Sequence, residues 1–504
     1  MRPELCLPVL LIATAPALAD PLFVPRPIAP HSYEGGWEHF VGGGVAAFDC
    51  NGDSLPELYA AGGENPAQLF LNVTTPGGDL EFATAQSTLS MTGVIGAYPL
   101  DIDSDGIMDL AVLRVGENAL MRGHGDCHFT PFEGIGFQSD RRWTTAFSAT
   151  WEAGQSLPTL AFGNYVDRDN PDGPFEACDT NQLYRPEGDS YPSPLPLDPG
   201  FCALSMLFTD WGRQGRADLR VSNDRHYYVR GGEEQMWAME PVPRLYGPED
   251  GWNSHQLWGM GIASRDLDGD GLSEVYLTSM GDQRLQLMSD GAQGPSYLDA
   301  PYESGATAHR PYTGGDGRPS TGWHAVFGDV NNDGWSDLFV AKGNVEQMPG
   351  SAMEDPNNLL MGGPDGHFTE AGLEAGIASL HRSRGAALAD LNGDGLLDLA
   401  VLNRHAPLEL YQNVTEGSGG WLLVTVSQDA PNPDAIGAFV ELRAGDRVWT
   451  QEITVGGGHA GGVSGPLHFG IGDAEPVELR VIWPGGDSSD WQVVAPNQPV
   501  TLSR

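Results

Sequence analysis

Between Arg265 and Asp282 the chain reads RDLDGDGLSEVYLTSMGD. Asp266, Asp268 and Asp270 alternate at i, i+2 and i+4, Gly271 follows, and Glu274 closes the stretch. Carboxylates so spaced repel one another unless a cation lies between them. Gly271 permits the sharp turn that folds them round it, and the Leu272 carbonyl adds a further oxygen. A cage of hard oxygen ligands of this kind fits calcium best.

The spacing recurs. Asp101, Asp103, Asp105 and Asp109 form a second set with the Ile107 carbonyl. Asp329, Asn331, Asp333 and Asp337 form a third with Trp335, and Asp390, Asn392, Asp394 and Asp398 a fourth with Leu396. Asp49, Asn51, Asp53 and Glu57, with Leu55, form a fifth in which Ser54 replaces the glycine. Up to five Ca²⁺ sites are expected. An EF-hand is excluded: its twelfth-position glutamate would fall on Val112 or Leu277, inside strand patterns. Two degenerate copies begin at Trp151 and Asp210, where most carboxylates are lost. The seven starts, 49, 101, 151, 210, 266, 329 and 390, lie 50 to 63 residues apart, the period of a repeat architecture.

The elements that must carry these loops are short strands. GAALAD leads into the Asp390 loop, LDLAVLN leaves it, and LELYQN supplies a third strand. Other units add an aromatic fourth, as in LEFATA (80–85). Four short antiparallel strands at this period describe a propeller blade, and seven blades close a ring. The last unit lacks a fourth strand, and PLFVPRP (21–27) is predicted to complete it. The expected fold is all-β: a seven-bladed β-propeller over 20–413, a linker at 414–420, and a small β-sandwich or barrel over 421–504.

Composition narrows the function. Lys plus Arg is 26 against 68 Asp plus Glu, a formal charge of −42. Such a field repels nucleic acid and anionic membranes. Residues 1–19, ending in Ala17-Leu18-Ala19, read as a secretory signal peptide. No later stretch is long and apolar enough to insert in a membrane, so the mature chain is expected in the periplasm or outside the cell. Asn72 and Asn413 lie in N-x-T sequons.

The acidic units resemble FG-GAP (VCBS-type) calcium-binding propeller repeats. GGWLLVTV, NPDAIGAFVELRAG, GGGHAGG, LHFGIG and LRVIWPGG (419–486) resemble the ASPIC/UnbV module. Together they resemble the cartilage acidic protein family and its bacterial relatives. The resemblance implies calcium in the intact loops and leaves metal binding in the Trp151 and Asp210 units in doubt.

Strand direction then sorts the rest. Cys50 and Cys127 fall at the acidic-loop end of adjacent blades, Cys178 and Cys202 at the other end, which pairs Cys50–Cys127 and Cys178–Cys202. Arg225, His226, Trp237, Trp258, Met260, Met280, Arg310, His324, Lys342 and Arg384 also fall opposite the acidic loops. They are expected to form a ligand face, or else to plug the channel and knit the blades. His459 is expected in an exposed glycine-rich loop. With no nucleophile elbow, zinc-spaced histidines or nucleotide loop, the leading reading is an exported calcium-binding adhesion or interaction scaffold for a protein or glycan. The alternative is an extracytoplasmic hydrolase or metal-dependent oxidoreductase at the channel mouth.

Overall fold

The computed structural model describes residues 19–224, 232–289, 291, 293–307 and 314–504. The expected signal sequence, apart from Ala19, and Arg225, His226 and Arg310 lie outside the described residues.

Seven groups of four antiparallel strands follow one another along the chain. Blade one is Val45–Phe48, Glu57–Ala60, Gln68–Asn72 and Phe82–Ala85. The innermost strands of blades two to six are Val94–Leu100, Arg141–Thr150, Ala203–Thr209, Gly259–Arg265 and Gly322–Gly328. Blade seven has Arg382–Ala389, Asp398–Arg404 and Glu409–Asn413, and takes its fourth strand, Phe23–Arg26, from the start of the described chain. The expected latch is present, with Phe23 opposite Asn413 and Arg26 opposite Leu410. Blades two and three are fused further, because residues 141–143 pair with 115–117. The innermost strand of blade seven packs against that of blade one, and Gly385 N–H donates to Gly43 O at that seam.

The innermost strands are rich in small residues and fully buried, as in VAAF and VIGAYPL. What buries them is the C-terminal region. Residues 455–463, VGGGHAGGV, thread the channel and bridge to Ala149, Leu207, Ile262, Ala97 and Ala47, on five successive blades. His459 is completely buried there. Its N–H donates to Nδ1 of His324 on blade six, and its Nε2 accepts the Gly42 N–H. Glycine is required by the approach: a Cβ on Gly461 would lie 2.3 Å from Val45 O, and one on Gly96 would lie 1.6 Å from Ala460 O. The expectation of an exposed His459 is therefore corrected. The run of glycines marks close backbone packing rather than a free loop.

The rest of the C-terminal region is a sandwich. Gly420–Ser427 pairs with Leu467–Gly472 and, in parallel, with Gln498–Ser503. Phe439–Ala444 sits between Arg447–Glu452 and Val477–Ile482. Leu422, Val424, Phe469, Val440, Leu479 and Val481 form its core. Two disulfides, Cys50–Cys127 and Cys178–Cys202, follow the expected pairing. No helix among the described residues is long and apolar enough to cross a membrane.

Two outcomes are expected. Phe23 is 3% exposed, so Phe23→Ala should lower unfolding stability by about 3 kcal/mol in a denaturant titration. Burial holds the His459 imidazole down to about 3 and that of His324 down to about 4. Arg384 and His324 are the charged and titratable groups facing His459. The unfolded chain protonates these rings near pH 6.5 and the folded chain does not, so acid favours unfolding below that pH. Between pH 6.5 and 4.5, His459→Asn should lose about 2 kcal/mol less stability than the unaltered protein.

Candidate metal centres

Each acidic loop is the hairpin between the first and second strands of its blade, and all take one conformation. The first carboxylate turns back onto the loop's own amides. Asp101 accepts from Asp105 and Gly106 N–H at 3.1 and 2.8 Å, and Asp266 from Gly269 and Gly271 at 2.8 and 3.0 Å. Asp329, Asp390 and Asp49 repeat the pattern. The sixth position is left-handed, with φ of 83° at Gly106, 87° at Gly271, 89° at Gly334 and 86° at Gly395. Ser54 adopts φ 70° at the same place, a conformation costly for a residue with a side chain.

The ninth position is a buried carboxylate. Asp109 accepts the Ile102 N–H at 2.8 Å and the Gly123 N–H at 2.7 Å, tying the loop to the end of the third strand. Asp337 and Asp398 do the same through Val330 and Gly362, and through Leu391 and Asn413. Glu274 accepts from Leu267, and Glu57 from Cys50. Single oxygens of Asp101, Asp103 and Asp109 lie within 4.8 Å of one another, as do those of Asp266, Asp268 and Glu274. Oδ1 of Asp103 is buried without a hydrogen-bond partner.

Burial, then mutual repulsion, pushes these groups upward. Asp109 and Glu274 rise to about 8, and Asp101 and Asp266 to about 6. Glu57 rises to about 7 through burial above all. Asp329 rises to about 8, and Asp337 and Asp398 stand well above the usual carboxylate range, for the same two reasons.

The degenerate loops show what happens when the cage is lost. In the Asp210 loop, Asp218 holds the ninth position. It accepts from the Trp211 indole at 2.9 Å and the Tyr246 hydroxyl at 2.7 Å, and Arg216 pairs with it at 3.3 Å. In the Trp151 loop the ninth residue is Thr159, whose hydroxyl donates to Glu152, and Arg185 pairs with Glu152 at 2.7 Å. A guanidinium stands in both.

The sandwich docks on this acidic-loop face. Arg447 lies 3.6 Å over the Trp335 ring and donates to Gly334 O, which also accepts from the Trp449 indole. Glu452 accepts from Asp210 N–H and Thr209 hydroxyl, and Arg213 pairs with Glu441 at 2.6 Å.

The opposite face follows the second of the two readings, packing rather than display. Trp237, Met260, His324, Lys342 and Arg384 are buried, and Trp258 and Met280 half-buried. Lys342, the chain's single lysine, pairs with buried Asp355 at 3.0 Å. Arg384 lies 4.0 Å over the Trp323 ring and donates to the carbonyls of Asn344 and Val345. These residues knit blades and seal the channel, so they are not a displayed ligand surface. What this face exposes is Trp37 (40%), Met353 (37%) and Leu380 (49%), on loops between strands. Both sequon asparagines are buried. Asn72 Nδ2 donates to Pro56 and Leu391 carbonyls, and Asn413 Nδ2 to Val330 and Leu397 carbonyls.

Fold and loops together define a β-propeller whose hairpins carry acidic cages on one face. Residues 49–112 and 329–401 match the FG-GAP-like repeat family, and residues 428–504 match the ASPIC and UnbV family. Two stretches of the propeller thus match FG-GAP-like repeats and the C-terminal domain matches ASPIC/UnbV, in line with the resemblance read from the sequence. It is 30% identical over 164 residues to Cartilage acidic protein 1 of Homo sapiens, a stretch covering 30% of this chain and 22% of that protein. Neither match is to a catalytic family. Among solved structures, BBS1N in complex with ARL6DN aligns with a TM-score of 0.43 at 11% identity, over 79% of this chain and 97% of that one. The BP39L lectin of Burkholderia pseudomallei aligns at 0.44 and 10%, over 75% and 97%. An Agrocybe aegerita lectin specific for non-reducing terminal N-acetylglucosamine aligns at 0.40 and 12%, over 74% and 94%.

The docking contacts yield one expectation. Glu452→Ala leaves the Asp210 N–H without its partner in a buried seam, which should cost about 2 kcal/mol, read as a lower Tm by scanning calorimetry.

Proposed function

We propose that the protein is an exported, calcium-stabilised interaction scaffold that presents the face opposite its acidic loops to a protein or glycan. One contrast carries the calcium reading. In the Asp101 and Asp266 loops the first, third and ninth carboxylates lie within 4.8 Å of one another, and among the described residues no ion pair reaches the first or the ninth, whereas in the degenerate loops an arginine pairs with Asp218 or Glu152. Buried carboxylates without a counter-charge are costly. Ca²⁺ takes six to eight oxygens at roughly 2.3–2.6 Å, and each loop offers three or four side chains and a carbonyl. Asp101, Asp103 and Asp109, and Asp266, Asp268 and Glu274, are the sets already drawn together. Arg122, paired with Asp103 at 2.7 Å and Asp105 at 3.0 Å, would swing outward when the ion enters.

Export is supported by the leader-like first residues and two disulfides. The interaction role rests on the free face. The sandwich covers the acidic-loop side, so a flat partner meets the other one, where Trp37, Met353 and Leu380 stand in water.

Removing the ion tests the reading. Excess EGTA should lower the Tm by several degrees, and added calcium should restore it. Asp337→Asn and Asp398→Asn should each remove about one equivalent of bound calcium in a calorimetric titration, while Asp218→Asn should remove none. An unchanged melting curve in EGTA overturns calcium binding. A glycan and surface-protein array probed in calcium buffer should give a ligand whose binding is lost in Trp37→Ala. Binding that persists in that variant places the contact elsewhere.

A further inference from the structure

We propose that the cleft between blades five and six is a binding site for a small organic ammonium with an apolar body. Its basis is a difference between blade junctions. At the seam of blades seven and one, Asn392 Nδ2 donates to Gly78 O and Asn72 Nδ2 to Leu391 O, at 3.0 and 2.8 Å. At the seam of blades six and seven, Asn413 Nδ2 donates to Val330 O at 2.8 Å. At the seam of blades one and two, the Cys50–Cys127 disulfide and the Cys127 N–H bond to Cys50 O make the closure.

At the seam of blades five and six both bridging asparagines are replaced. Asp268 stands where Asn331 and Asn392 stand, and Gly362 stands where Asn72 and Asn413 stand. An ionised aspartate accepts but cannot donate, and a glycine has nothing to reach with. The junction stays open as a cavity of about 320 Å³, the size of a small-ligand pocket.

Its lining sets the chemistry. Leu285, Leu287, Ala300 and Phe368 give it apolar walls, and Leu287 is 38% exposed at the entrance. Glu303 and Asp365 stand at the rim, beside Asp268. No lysine or arginine among the described residues lines it, and the one basic side chain, His367, lies 3.3 Å from Asp365. Carboxylates with no lysine or arginine among them, over a largely apolar floor, select an N–H-bearing cation on a hydrocarbon body. Glu303 and Asp365 belong to no acidic loop, so the site keeps its negative rim whether or not the Asp266 loop holds calcium.

The probe is 2-phenylethylammonium, titrated calorimetrically into the full chain in saturating calcium, with 2-phenylethanol as the uncharged isostere. The ammonium should bind and the alcohol should bind about tenfold more weakly, since the charge-assisted contacts are missing. Neutralising the rim with Glu303→Gln and Asp365→Asn together should weaken the ammonium about fivefold. Leu287→Arg, which puts the protein's own guanidinium at the entrance, should abolish binding. These are exposed positions, so unchanged melting curves confirm that the variants are folded. Equal affinity for alcohol and ammonium overturns the proposal, as does undiminished binding in Leu287→Arg or no binding at millimolar probe. Repeating the titration in EGTA separates the two readings. A chain that binds the ammonium but no calcium fails only the metal proposal, and one that binds calcium but not the ammonium fails only this one.

Discussion

A carboxylate buried beside other carboxylates governs this fold. At the ninth position of each intact loop it accepts the second residue's amide, and in blades two, six and seven also the amide that ends the third strand. One side chain thereby holds three strands and the hairpin in register. The same burial makes its charge expensive, since little within the loops opposes it. The seven units divide over that cost. In the Trp151 and Asp210 units an arginine is recruited and the cage dissolves. In the other five the acidic residues of the loop are kept.

The C-terminal domain belongs to the same economy of unpaired groups. An innermost propeller strand leaves backbone N–H and C=O groups facing the channel, and buried backbone groups need partners. Residues 455–463 supply them: Gly457 and Gly458 donate to Met206 and Ile262 carbonyls, and Gly462 donates to Ala97. Only a glycine-rich segment can come so close to strands that are themselves stripped to alanine and glycine. The sandwich is therefore held by its floor contacts with the acidic loops and by a thread through the ring. The channel is thereby a seam between two domains.

Much of this was legible. The period of the DxDxDG starts fixed seven blades, and an apolar segment without a partner fixed the latch. Strand direction alone paired the cysteines, because it sorts each residue to one face. The ligand face was not legible for the same reason that the sorting worked. Strand direction says which end of a blade a residue occupies, but not whether its side chain points to water or across the seam. Arg384, Lys342 and His324 are polar residues at that end, yet their partners, the Asn344 carbonyl, Asp355 and His459, lie 40, 13 and 135 residues away. The thread was hidden likewise. GGGHAGG has neither strand nor helix periodicity, and its glycines have meaning only against Val45, Ala97 and Ile262. The single available clue was the small-residue composition of the innermost strands, which asks for something narrow in the channel.

The ring is also uneven, and the unevenness is ordered. The two blades whose loops lack a cage are adjacent, and they share the stretch that the Cys178–Cys202 bond closes over 24 residues of chain. A crosslink of that span contributes about 3 kcal/mol in the chain-entropy account. The sandwich adds Glu452 and Glu441 to the Asp210 loop, so that Arg213 has a partner outside its own blade. Blades three and four thus hold their shape through bonds the chain carries with it.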